Sequence, residues 1–366
     1  MVGVKRNQRR TSLLINGSLA LICFLWTIPT FGLLISSFRT RFDIQTTGWW
    51  QILPHRAWSM TEEFKPDAAV NREGVMEFAG AKGTFEELRA GVSTPDGKRV
   101  RWVGNKRAGR VQIEEQGWTM LTNFTLSNYQ NVLTGKEYII KNPDGSELKE
   151  KGDNMSNAFL NSLAVVIPAT VIPILLAAFA AYAFAWMRFP GRKFLFILVV
   201  ALLVVPLQIA LVPILRDYQR LQLTGTFLAV WLAHTGFGLS LATYLLYNYI
   251  SELPRDILES AFLDGASHFT TFMRLILPLS MPALASFAIF QFLWVWNDYL
   301  VSIIFLGGRA ENEVMTMRLA AIVGSRGNDW HLLTAGAFVT MILPLIVFFS
   351  LQRYFVRGLL AGSVKG

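Results

Sequence analysis

One acid stands well inside a long apolar run: Asp298, in the sequence Trp296-Asn297-Asp298-Tyr299. A charge in hydrocarbon is costly, so an ionisable residue at such a place is by default a functional candidate. Its neighbours are of the type that line carbohydrate sites, with aromatic faces and polar edges. If Asp298 lies near the outer water interface instead, it pairs structurally. Lining a path and holding structure are both open roles for Trp296, Asn297, Asp298 and Tyr299. Gln208, His234, Asn248 and Gln291 are further polar groups in apolar surroundings, which either bridge helices or face a cavity. The second chemically rich stretch is 251–282, SELPRDILESAFLDGASHFTTFMRLILPLSMP. It lies between two apolar runs and carries Glu252, Arg255, Asp256, Glu259, Asp264 and Arg274.

Several chemistries find no support. A phosphate-cradling loop needs G-x-x-x-x-G-K-[ST]. The nearest approach, Gly91 to Gly97-Lys98, has one residue too many and ends on Arg99. If ATP drives this chain, another polypeptide binds it. Four histidines and one cysteine, all scattered, offer no metal set at ligand spacing, and no nucleophile constellation is visible. No cofactor and no catalytic residue are expected. Cys23 stands alone, so the chain forms no internal disulfide.

The elements that must position these residues follow from hydropathy. Hydrophobic residues make up 52%, charged residues 16%, and the mean hydropathy is +0.38, well away from soluble composition. Charge-free or nearly charge-free runs cover 11–38, 154–187, 194–215, 221–251, 275–297 and 330–352. Each is long enough for a helix that crosses roughly 30 Å of hydrocarbon. The expected fold is therefore an all-α integral membrane protein with six transmembrane helices. Helix 1 occupies about 12–38, helix 2 159–187, helix 3 194–215, helix 4 227–249, helix 5 282–306 and helix 6 332–354, with a glycine-rich outer loop over 307–330. Prolines inside helices 2, 3 and 6 are tolerable where neighbouring helices satisfy the freed carbonyls. The small-residue run Leu176–Ala183 suits close helix packing.

Between helices 1 and 2, residues 39–153 are too long and too charged for a loop, and read as a small mixed or β-rich insertion domain. Turn signals at Thr94-Pro-Asp-Gly97 and Asn142-Pro-Asp-Gly145 predict hairpins, Thr84 and Glu87 have capping-box spacing for a helix over 85–90, and 126–133 is a second short helix. Its tryptophans, Trp49, Trp50, Trp58, Trp102 and Trp118, serve as core, membrane-interface anchors or a contact face. The division is thus 1–38 (basic tail and first helix), 39–153 (insertion) and 154–366 (five helices, the 251–282 loop and the tail). The net charge of +9 invites a nucleic-acid reading, but the insertion is nearly neutral, with 17 Lys+Arg against 16 Asp+Glu. Of the remaining 17 basic residues, 12 fall on the side of the termini and of 251–282, and five on the other. That asymmetry places both termini in the cytoplasm and 39–153 outside, and leaves nucleic acid no place.

In 251–282, Leu253, Ile257 and Ala261 fall at helical spacing, as do Phe269, Phe272, Met273 and Ile276. Gly265 closes the first short helix, Ser267 caps the second, and Pro278 and Pro282 end it. Glu259-Ser260-Ala261, Gly265 after three residues and Leu275-Ile276-Leu277-Pro278 after nine more resemble the EAA loop of ABC-importer permeases. Ser260 and Leu275 depart from the pattern by small-for-small and apolar-for-apolar exchanges. With Ala181-Tyr182-Ala183-Phe184, Trp296-Asn297-Asp298-Tyr299 and the ending from Gln352-Arg353 to Gly366, the resemblance covers about 157–366 and is closest to the carbohydrate branch, of maltose and alpha-glucoside type.

The resemblance implies a non-catalytic permease subunit in a bacterial inner membrane, surrounded by lipid. It pairs with a second, homologous permease, docks two ATPase subunits, and receives a maltose-like or alpha-glucoside sugar from an extracytoplasmic binding protein. The coupling residues it implies are Arg255, Glu259, Ala261, Asp264, Gly265, Ala266 and Pro278. Two other readings stay in view: a proton-coupled secondary transporter working through Asp298, and a membrane-anchored receptor that senses ligand through the insertion.

Overall fold

The computed structural model describes residues 2–67, 70–141, 147–325 and 329–361 and falls into two units, Met1–Ile35 with Arg39–Phe124, and Ser36–Phe38 with Thr125–Gly366. In the first unit, α1 (Val2–Ser37) is apolar from Thr11 onward and exposed there on almost every side; Leu13, Leu14 and Trp26 are more than two-thirds exposed. A helix that is apolar all round belongs in lipid rather than on a soluble surface. Its end is braced by Trp49, whose ring meets Phe31 edge-on at 6.0 Å.

After α2 (Arg41–Thr46) and a single 3-10 turn at Trp49–Ile52 comes β1 (His55–Phe64). Then follow β2 (Met76–Phe78), β3 (Ala81–Gly83), α3 (Phe85–Ala90), β4 (Val92–Ser93), β5 (Arg99–Val103) and β6 (Arg110–Thr119). The main sheet is antiparallel in the order β1-β6-β5-β4, and β2 and β3 form a separate hairpin. The predicted capping box is present: the Thr84 hydroxyl accepts from the Glu87 N–H, and the Glu87 carboxylate accepts from the Thr84 N–H at 2.7 Å. Those bonds hold the Glu87 carboxyl below its usual range. The predicted turn at Thr94–Gly97 joins β4 to β5, with Gly97 at φ +78°. Alternation on β5 and β6 turns Val100, Trp102, Val111 and Ile113 inward, onto Met76, Phe78, Ala81 and Leu88. Trp49 is thus a helix-end anchor, Trp102 is core, Trp58 lies under the Arg99 guanidinium, and Trp50 and Trp118 are exposed.

The second unit begins with α4 (Ser127–Leu133) and the hairpin β7 (Glu137–Lys141) and β8 (Glu147–Lys151). The Asn142–Gly145 turn predicted between these strands lies outside the described residues. Then come α5 (Met155–Trp186), α6 (Arg192–Ala201), α7 (Leu207–Arg220), α8 (Phe227–Ser251), α9 (Arg255–Leu263) and α10 (His268–Thr271). The chain closes with α11 (Leu277–Leu279), α12 (Met281–Trp296), α13 (Leu300–Leu306), α14 (Met315–Ser325) and α15 (Trp330–Ala361). α5 packs along α8, and α12 against α15 and α5. Ala177, Ala178 and Ala181 of the small-residue run are fully buried beside Ala242 and Leu246 of α8.

Among the described residues, four helices are long and apolar enough to cross a membrane unaided, and up to six spans result if two bent pairs each count as one. The sequence reading of helices 3 and 5 as single helices is corrected here. Arg192–Val204 and Leu207–Arg220 meet at 103°. The cause is Pro206: the residue before a proline is pushed out of the helical region, and Val205 sits at ψ 117°. Helix 5 divides at Asn297–Tyr299, between α12 and α13. The expected outer loop 307–330 also contains α14, which buries Met315, Met317 and Ile322.

Candidate functional site

The stretch 251–282 folds as two short helical pieces joined at Gly265. α9 ends with the N–H of Ala266 bonded to the Ala261 carbonyl and that of Gly265 to the Phe262 carbonyl, both at 3.0 Å. This double closure needs a left-handed residue just past the helix, and Gly265 lies at φ +81°. Ser267 then caps α10, accepting the Thr270 N–H at 3.2 Å. The second piece does not stop at Pro278. It passes through a widened turn, Phe272–Ile276, in which the Leu277 N–H reaches back five residues to the Phe272 carbonyl. A turn one residue looser than an α-turn makes room for the proline ring. The true break follows at Ser280, where the path bends by 72° into α12.

The phase of the first predicted stripe is also corrected. Leu258 is the buried residue of α9, while Ile257 is exposed and Leu253 and Ala261 are half-buried. In the second piece Phe272 and Ile276 go inward and Phe269 and Met273 outward. The three inward residues share a core with Ala177, Ala178, Ala181 and Tyr182 of α5 and Leu246 and Ile250 of α8. Phe272 stacks on Phe179 at 4.2 Å, and the Tyr182 hydroxyl is 2.9 Å from His268 Nδ1. The hairpin is therefore fastened to the helix ends. Its other face carries Arg255, Glu259 and Asp264, all exposed, and neither Arg255 nor Glu259 forms an ion pair with a described side chain. Ala266 is half-buried and Pro278 exposed. Leu263, with Phe262 and Ile257, adds an apolar tip; Leu263 is 88% exposed. Sequence reasoning passed over Leu263, although an apolar residue off the helical stripe was the available signal.

The second candidate set is split by the helix break. Trp296 is buried and gives its indole N–H to the Thr340 carbonyl at 3.0 Å. Asn297 is exposed and donates to the Leu293 carbonyl, and Tyr299 is 45% exposed. Asp298 accepts the N–H groups of Val301 at 2.9 Å and Ser302 at 3.2 Å, the second and third residues of α13. A carboxylate there satisfies donors that a helix start leaves unpaired. His234 Nε2 lies 3.7 Å away, fully buried on α8. The structural role of Asp298 thus has named partners. Asp298→Ala is expected to lower stability by about 1 kcal/mol, and Asp298→Asn, which keeps an acceptor oxygen, by clearly less. Thermal unfolding of the purified variants checks this.

Of the other polar groups, Gln291 is fully buried and donates to the carbonyls of Ala169 at 3.1 Å and His234 at 3.4 Å. It bridges helices. Among the described residues, no group of three or more His, Cys, Asp or Glu could hold a metal ion.

A family model described as binding-protein-dependent transport system inner membrane component matches residues 169–360. The osmoprotective compounds uptake permease protein GgtD of Synechocystis sp. is 49% identical over 94% of this chain and 89% of its own length. The alpha-glucoside transport system permease protein AglG of Rhizobium meliloti is 46% identical over 95% of this chain and 96% of its own. A probable ABC transporter permease protein of Pyrococcus horikoshii is 37% identical over 68% of this chain and 85% of its own. At the coverage of the first two relatives, the alignments take in most of 39–124.

Proposed function

The chain belongs to the family of binding-protein-dependent transport system inner membrane components, and from that premise we propose that it is the permease subunit of an ABC importer for an alpha-glucoside or maltose-like sugar. It forms the path together with a second, homologous permease. Two ATPase subunits dock in the cytoplasm, and an extracytoplasmic binding protein delivers the sugar. The chain itself hydrolyses nothing, and it crosses the membrane six times, with helix 3 bent at Pro206 and helix 5 built from α12 and α13. Both termini are cytoplasmic, and residues 39–153 face the periplasm. The basic residues flanking the spans support that orientation.

The observation that carries the reading is the 251–282 hairpin. Its inner face is anchored through Leu258, Phe272 and Ile276, and its outer face presents Arg255 and Glu259, without an ion pair among the described residues, around exposed Leu263. A fastened element with a mixed charged and apolar outer face is suited to pass motion across a subunit interface. Glu259 meets a basic group or a helix N-terminus in a groove of the ATPase, while Ala261, Asp264, Gly265, Ala266 and Pro278 shape the hairpin. Of the 296–299 set, Asn297 and Tyr299 line the path, a reading supported by their exposure at the break in helix 5. The similarity to AglG supports the alpha-glucoside assignment. The similarity to GgtD makes osmoprotective compounds the second class to assay.

The test is reconstitution of the chain with its partner permease, ATPases and binding protein in proteoliposomes. ATP-dependent uptake is measured with maltose, sucrose, trehalose and osmoprotective compounds. Glu259→Ala is expected to lower uptake per ATP hydrolysed by about tenfold, the effect of losing a partly desolvated charge pair. Wild-type coupling in that variant counts against the docking role. Uptake that collapses with a protonophore at constant ATP, or a ligand bound without uptake, favours the transporter and receptor alternatives.

A further inference from the structure

Three prolines interrupt the long helices of the second unit's core: Pro168 and Pro173 in α5, and Pro344 in α15. A proline has no N–H, so the carbonyl four residues earlier loses its helical partner. Those carbonyls belong to Ala164, Ala169 and Thr340. Each accepts a hydrogen bond from a side chain of a neighbouring helix. Trp231 Nε1 of α8 donates to Ala164 at 2.9 Å, Gln291 Nε2 of α12 to Ala169 at 3.1 Å, and Trp296 Nε1 of α12 to Thr340 at 3.0 Å. The match is one donor for each missing N–H. Together the three bonds chain α8 to α5, α5 to α12 and α12 to α15.

Gln291 stands apart from the two tryptophans. Its Nε2 also reaches the His234 carbonyl, so one carboxamide joins three helices. It is fully buried. The seat it occupies is made by Gly238 of α8: a Cβ there would fall 2.7 Å from Gln291 Oε1 and 2.8 Å from Nε2. A side chain at 238 would expel the amide. α5 is also the helix on which the 251–282 hairpin is fastened, through Ala177, Ala178, Ala181 and Tyr182, four to nine residues beyond Pro173.

A proline-broken turn is where a helix bends. A bend at Pro173 would absorb a push delivered at the hairpin before it reached the outer half of α5. We propose that Gln291 is a positioning residue of the transport cycle: seated on Gly238, it splints the Pro173 turn of α5 to α8 and α12, so that these helices rock as one body instead of flexing. The proposal rests on the importer reading for its functional consequence. It acts through Ala169 and Pro173 and calls for no contact between Gln291 and substrate.

The decisive comparison is among wild type, Gln291→Leu, Pro173→Ala and the double variant, each in the full reconstituted complex. Pro173→Ala returns the N–H that the Ala169 carbonyl lacks, so it should make Gln291 dispensable, and a double-mutant cycle isolates that dependence. Gln291→Leu is expected to cut uptake per ATP hydrolysed about fivefold or more in complexes of normal subunit composition. It should also speed amide hydrogen exchange across 169–177. The double variant should recover to within about twofold of wild type on both readouts. A purely packing role would lower assembly and leave uptake per ATP unchanged, which overturns the proposal. So does a coupling defect that Pro173→Ala fails to relieve. If Gln291→Leu alone does not assemble, recovered assembly of the double variant supports the splint, and its failure rejects it. If the wild-type complex takes up none of the compounds assayed, the importer reading falls, and hydrogen exchange still decides whether Gln291 holds the Pro173 turn.

Discussion

Gly265→Asp is expected to abolish uptake while the chain remains in the membrane at wild-type abundance. Gly265 stands at φ +81°, and the two bonds that close α9 depend on that conformation. A side chain there costs on the order of 1 kcal/mol in backbone strain. Strain of that size would loosen the hairpin without unfolding the protein. The larger effect is geometric. Apart from its chain neighbours, no atom lies within 4 Å of a Cβ built on Gly265, so the first carbon of a new side chain has room. The new carboxylate projects from the outer face, beside Asp264 and one to two turns from Glu259, where it adds negative charge and bulk to the proposed docking surface. Gly265→Ala carries the strain without the charge, and is expected to retain a measurable fraction of uptake. The measurement is parallel: subunit copurification, ATP hydrolysis and uptake for both variants. Wild-type uptake by Gly265→Asp would mean that the hairpin only packs, and the coupling role assigned to 251–282 would fall with it.

What could be read from the sequence follows the range of the interactions concerned. Gly265, Ser267 and the Thr84–Glu87 box were legible because a cap is made by residues three to five apart. The phase of α9 was not. Leu253-Ile257-Ala261 and Pro254-Leu258 both fit helical spacing, and only contact with α5 and α8 selects Leu258. The break at Val205-Pro206 follows a local rule, yet an unbroken apolar run outweighed it. α14 was hidden because Gly307 and Gly308 precede it and Gly324 lies in its last turn, while its inward residues, Met315 and Ile322, show their spacing only once the segment is taken as a helix. Trp296 is the clearest case of a role invisible locally. Its partner is the Thr340 carbonyl, freed by a proline almost fifty residues downstream. Asp298 itself accepts the N–H groups of Val301 and Ser302. The C-terminal segment 362–366, part of the family-like ending, lies outside the described residues.

Trp102→Ala is expected to unfold the unit inserted between α1 and α4 while assembly with the ATPases persists. Trp102 is 1% exposed and central to a core of eight buried apolar residues. Its ring lies 5.7 Å from Phe85, edge-on, and 6.1 Å from Phe78, and its indole N–H is bonded to the Asn105 carbonyl at 3.2 Å. Truncating a buried tryptophan to alanine costs roughly 3–5 kcal/mol. A core of this size belongs to a unit that is marginal to begin with, so a loss of that order is comparable to its whole stability. Trp102→Phe keeps a ring between Phe78 and Phe85 and should leave the unit folded but less stable. Limited proteolysis reads the result directly: Trp102→Ala should expose cleavage sites over 72–110 that wild type and Trp102→Phe protect. Equal resistance in all three would mean that this core does not hold the unit. The second readout is function. The apolar spans and the 251–282 hairpin are complete without the insertion, so ATPase copurification and basal hydrolysis should stay at wild-type levels while uptake at limiting binding protein declines. If Trp102→Ala loses the ATPases as well, the insertion is no accessory to the permease but part of what builds it.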